Sequence, residues 1–121
     1  MKASRFAFAF SLLAAASFSA HADCTYPKPP DAAPNGGTAT EAEMIAGMQA
    51  FKKYNAEVTT YLSCLDTEMQ KQTAAAGDNA DQVKQIKEMN VKKHNAAVDE
   101  LTAHADEFNQ QLRAYKAKQK G

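Results

Sequence analysis

Every proline of this chain lies between positions 27 and 34, and none follows: Pro27, Pro29, Pro30 and Pro34 precede a stretch from Glu41 to Gly121 without one. Proline fixes φ and lacks the N–H that a helix interior needs. The segment 23–39, which also carries Gly36 and Gly37, is therefore read as an extended or polyproline-like strap. Immediately after it, Thr40-Glu41-Ala42-Glu43 is a capping box: the threonine accepts from the third residue's N–H while the Glu43 carboxylate reaches back. The first credible stop is Ala76-Gly77-Asp78-Asn79, where Gly77 can take a left-handed terminating conformation and Asp78 or Asn79 can cap a second helix. Two helices follow, about 40–76 and 79–118. Each is about 55 Å long at 1.5 Å per residue, and a turn this short folds them antiparallel. The expected fold is all-α, an antiparallel two-helix hairpin of coiled-coil type carrying the strap.

The apolar spacing leads to the same reading. Met44, Met48, Phe51, Asn55, Val58, Leu62, Leu65, Met69, Gln72 and Ala76 follow alternating steps of 4 and 3, the seam of a heptad. In the second helix His94, Val98, Leu101, Ala105, Phe108, Leu112 and Tyr115 keep that alternation. Val83, Ile86 and Asn90 join it through extra steps of 4, a stutter expected to loosen the supercoil near Asn90. Folding about Gly77 and Asp78 pairs residues whose numbers sum to about 155. Leu65 then faces Asn90, Leu62 faces His94 and Met48 faces Phe108, while Glu41 and Glu43 lie beside Arg113, Lys116, Lys118 and Lys120.

The first 22 residues read as an address. Lys2 and Arg5 form a basic start, Phe6 to Phe18 an apolar and small-residue core, and Ala20-His21-Ala22 the small residues that signal peptidase needs. Cleavage is expected between Ala22 and Asp23, and the protein is expected in the periplasm or secreted. The apolar stretch falls short of the roughly 20 residues that span a bilayer, so no stable membrane insertion is expected after cleavage. Removing it takes away Lys2 and Arg5 but no acid, so a chain of formal net charge +0 becomes slightly acidic. That balance lacks the basic field of a nucleic-acid binder.

Both cysteines remain in what would be an oxidising compartment, where two Cys read as a structural disulfide. Joining Cys24 to Cys64 closes a loop of about 40 residues, worth on the order of 4 kcal/mol in the chain-entropy model. Tyr54, Glu57, Tyr61, Cys64 and Glu68 form a second stripe beside the seam. A bond at Cys64 would lay Tyr26 and the prolines back along Tyr61 and Tyr54.

No constellation for catalysis stands out. A nucleophile needs a base and an orienting group converging in a cleft, and no HExxH, paired carboxylates, Cys/His cluster or phosphate loop is present, so no enzyme is expected. His94 and His104, ten positions apart, do not share a helix face as metal ligands would. The build is similar, in architecture alone, to small periplasmic helical-hairpin proteins that include stress-related chaperones. The Leu-Thr-x-x-Gln signature of one such group is missing, and architecture does not give function. The expectation is a non-enzymatic, protein-binding or chaperone-like module without cofactor, with a protein partner and self-association to offset a thin core. Its candidate partner surface is Tyr26, Tyr54, Tyr61, Met44 and Met48. The rival expectation is an envelope metal- or haem-binding protein using His94 with Met89 or the Met44 and Met48 pair.

Overall fold

A computed structural model describes residues 23–121, so the expected signal segment 1–22 lies outside the described residues. These fold into two α-helices and no strand: α1 (Glu41–Ala76) and α2 (Ala80–Lys120). α1 starts as its capping box dictates. The Glu43 N–H donates to Thr40 Oγ1 at 3.3 Å, and the Thr40 N–H donates to Glu43 Oε2 at 2.7 Å. Those bonds from Thr40, first the backbone one, hold the Glu43 carboxyl below its ordinary range because they favour the ionised form.

Between the helices Gly77 has φ 56° and ψ −123°. The positive φ suits glycine, but this is not the left-handed helical conformation expected of a terminating glycine. It is the first central conformation of a type II′ turn, closed by the Asn79 N–H donating to the Ala76 carbonyl at 3.2 Å. Asn79 then caps α2, its Oδ1 accepting from the Gln82 N–H at 3.1 Å.

The helices contact each other along one face. Phe51 and Phe108 stack across them with ring centroids 6.4 Å apart and planes 4° from parallel. Asn90 Nδ2 donates to the Leu65 carbonyl at 3.0 Å, and Lys118 Nζ donates to the Ala39 carbonyl at 2.7 Å while standing over the Tyr115 ring. The last contact gives the basic end of α2 a backbone acceptor just ahead of Thr40.

The core keeps part of the expected seam and adds the second stripe to it. Asn55 and Gln72 are exposed, and Val98 is 37% exposed. Val58 and Leu65 of the seam join Tyr54 and Tyr61 of the second stripe and Ala97 in one buried cluster, and Met44 and Phe108 of the seam join Ala39 in another. A third element contributes. Residues 23–39 cover the Tyr54 and Tyr61 side, with Tyr26 against both tyrosines and Pro34 beside Gly47, and Ala97 packs into the same cluster from α2. Full burial of Val58 and Leu65 contributes about 1.5–3 kcal/mol each. The cover ends at Cys24, which is bonded to Cys64 with a Cα–Cα distance of 5.7 Å. Beyond it toward the turn, none of residues 66–96 is buried.

Candidate functional site

The most developed site lies where residues 23–39 meet both helices. Tyr26 sets its ring edge-on against Tyr61 at 5.1 Å between centroids. Its hydroxyl donates to Glu100 Oε2, so its oxygen is left to accept from the Tyr54 hydroxyl at 3.3 Å. Desolvation first, then the bond to Glu100, pushes the Tyr26 hydroxyl far above its ordinary value. Further along, the Ala33 N–H donates to Glu107 Oε1 at 3.3 Å and the Gly36 N–H to Gln111 Oε1 at 2.9 Å. A proline-rich segment has few N–H groups, and α2 supplies acceptors for these two.

Two glycines let the segment lie this close. A Cβ on Gly36 would fall 1.8 Å from the Gln111 carbonyl oxygen, and one on Gly47 would fall 2.7 Å from Pro34 Cδ. Asn35 completes the approach: its carbonyl accepts from the N–H groups of Thr38 and Ala39, and its side chain from that of Gly37. This turn delivers the chain into the Thr40 cap.

Between residues 28–39 and the helices runs a groove of about 700 Å³. Pro29, Pro30 and Pro34 form one wall, Ala46, Ala50, Phe51 and Tyr54 line the α1 side, and His104 with Phe108 closes it from α2. Lys28, Lys53, Glu57 and Glu107 give its edge both signs of charge. His104 packs edge-on to Tyr54 at 5.4 Å, with Glu100 4.0 Å from Nε2 and Glu107 3.9 Å from Nδ1, ion pairs only when the imidazole is protonated.

A second groove, about 880 Å³, runs along α1 past Cys64 to Ile86. Its three threonine hydroxyls are turned back onto α1. Thr59, Thr60 and Thr67 each donate to the carbonyl four residues back on their own helix, at 2.9, 3.1 and 3.1 Å. Those donors are already used.

The residues expected to face a partner are distributed unevenly. Tyr54 and Tyr61 are buried at 2% and 8% exposure and Met44 at 5%. The chain's own residues 23–39 and α2 occupy the surface they would have offered. Met48 is half-buried against Phe108, and Tyr26, at 38%, keeps one edge in solvent. Among the expected residues, Tyr54 alone lines the main groove. Of the rival ligand set, His94 is half-buried and Met89 is 53% exposed. No group of three or more His, Cys, Asp or Glu among the described residues is placed to hold a metal ion.

Glu100, Glu107 and Gln111 were not singled out from the sequence, and His104 was weighed only as a metal ligand beside His94. Their steps of 4, 3 and 4 mark a polar stripe beside Phe108, as regular as the apolar one. That was the available signal. Comparison with protein-family models, with curated proteins and with solved structures finds no match to this chain.

Proposed function

We propose that this is a small, non-enzymatic protein of the periplasm or extracellular space that binds another protein in the groove between residues 28–39 and the helices. In this reading the two helices are an antiparallel hairpin and residues 23–39 a docked strap stapled by Cys24–Cys64. The pattern of residues 1–22 supports export, and a disulfide suits an oxidising compartment.

One observation carries the binding role. The groove of about 700 Å³ pairs proline rings with the Phe51 and Tyr54 rings. Such walls bind apolar side chains without demanding hydrogen bonds, and the charged edge can orient a peptide backbone or its ends. The floor is preformed because the disulfide and the Gly36 and Gly47 contacts hold it, so little ordering entropy is lost on binding.

Site-specific photo-crosslinking in the producing cells tests this. A probe at Ala50, inside the groove, is expected to give one dominant protein adduct that a probe at Ala103, outside it, does not. Equal adducts from both positions, or none from Ala50, would overturn the reading.

A further inference from the structure

The two flanks of the helix pair differ. Residues 23–39 cover one, meeting α2 at Glu100, Glu107 and Gln111. At about 100° per residue, Val98 stands about 160° round α2 from Glu100, and so on the uncovered flank. Val91 and Val98, seven residues apart, share that stripe. Both stay in solvent, 54% and 37% exposed. Asn95 and Thr102, also exposed, continue it at alternating steps of 4 and 3. This is the spacing of a helix–helix seam, although α1 and residues 23–39 leave these four residues exposed.

The charge order on α2 indicates what covers it. On the N-terminal side of the stripe's centre stand Lys84, Lys87, Lys92 and Lys93 against Asp81 and Glu88. On the other side come Asp99, Glu100, Asp106 and Glu107, with no Lys or Arg before Arg113. Lys92 and Asp99 are exposed and seven residues apart, so they flank the valine stripe together. Among the described residues neither has an ion-pair partner in the chain. Two copies of α2 laid parallel in register would set Lys92 on Lys92 and Asp99 on Asp99. Laid antiparallel about Ala96, with paired numbers summing to about 192, Lys92 of each copy meets Asp99 of the other. The same register sets Asn95 on Val98 and Val91 on Thr102.

We propose that the protein self-associates through this flank, a second copy docking antiparallel on α2 between Val91 and Thr102. Such a contact is two-fold symmetric and closes as a dimer. It uses the opposite flank from the peptide groove and stands or falls independently of it.

Sedimentation equilibrium of the oxidised protein tests the proposal by charge reversal. The wild-type chain is expected as a reversible dimer at low salt. Lys92→Asp and Asp99→Lys are each expected to weaken it roughly tenfold, because each creates two like-charge contacts. The double variant Lys92→Asp/Asp99→Lys inverts both pairs and is expected to recover to within about twofold. The two residues lie two turns apart on one helix, so such rescue arises between copies. Helical circular dichroism, unchanged in all variants, separates loss of association from misfolding. A monomer at every concentration, a dimer indifferent to the single reversals, or a double variant no better than the singles would each overturn it.

Discussion

Pro34 occupies the space that a side chain on Gly47 would need: a Cβ there would lie 2.7 Å from Pro34 Cδ and 2.9 Å from Cγ. A glycine inside a long helix costs about 1 kcal/mol relative to alanine. Here that cost lets a segment without secondary structure rest directly on α1, with Phe108 at 3.3 Å on the same vacant spot.

Gly47→Ala should therefore destabilise, although it improves helix propensity. Forcing a methyl into this contact is expected to cost about 1–3 kcal/mol, outweighing the propensity gain. Combining it with Pro34→Ala should recover part of the loss. Urea melts of the single and double variants decide it, and a more stable Gly47→Ala protein would show that Pro34 does not rest there in solution. Gly36→Ala should be worse, since its neighbour at 1.8 Å is the Gln111 backbone rather than a ring that can shift.

Cys24→Ser/Cys64→Ser removes the disulfide that fixes the far end of residues 23–39 to α1. The chain-entropy model gives a loss on the order of 4 kcal/mol, a large share of the stability of a domain this small. The expected result is a lower urea midpoint, with proteolytic cleavage appearing between residues 25 and 33 under conditions where α1 and α2 stay intact. An unchanged cleavage pattern would mean that the contacts to Glu100, Glu107 and Gln111 hold the segment unaided.

The local signals were legible in the sequence, and so were the non-local pairings that folding about Gly77 and a single pair of cysteines dictate, Leu65 with Asn90 and Tyr26 with Tyr61. Thr40 and Glu43 identify the start of α1, and Gly77 with Asn79 its end, because caps and turns are settled within four residues. Cys24 and Cys64 were paired by having no alternative. Met44, Val58, Leu65 and Phe108 of the expected seam are buried, whereas Asn55, Gln72 and Val98 are exposed and Ala97 is buried without having been expected. In alanine-rich helices the heptad pattern leaves the limits of the buried face open, and a proline-rich segment with no periodicity helps to set them. Likewise Glu107 and Gln111 acquire their role from N–H groups 74 and 75 positions away, a pairing that no local spacing announces.

Alkaline pH should release the segment through Tyr26. Its hydroxyl is held protonated, with a value raised above the usual tyrosine range by desolvation and by the bond to Glu100. A folded-state value above the unfolded one means that the stabilisation is fully present below about pH 10 and is lost as pH rises beyond it. Tyr26 should ionise above the ordinary tyrosine range in an ultraviolet titration, and Glu100→Gln should bring it down. A Tyr26→Phe protein should lose the alkaline transition. If the Tyr26→Phe protein shows the same alkaline transition as the wild type, the Tyr26–Glu100 contact is not maintained in solution.

The uneven burial predicts uneven local stability. Buried side chains end at Leu65 on α1 and begin at Ala97 on α2, and residues 66–96 have only partial cover. Leu65→Ala, at a site 2% exposed, should cost about 2–5 kcal/mol, whereas Val91→Ala, at a site 54% exposed, should stay within about 0.5 kcal/mol in the monomer. Backbone amides follow the same division, because opening a two-helix stretch exposes little apolar surface. Hydrogen exchange should thus proceed through residues 66–96 before residues 54–65 and 97–108. Uniform protection along both helices would mean that the stretch near the turn is covered in solution. Protection of residues 91–96 rising with protein concentration would locate that cover on the outer flank of α2.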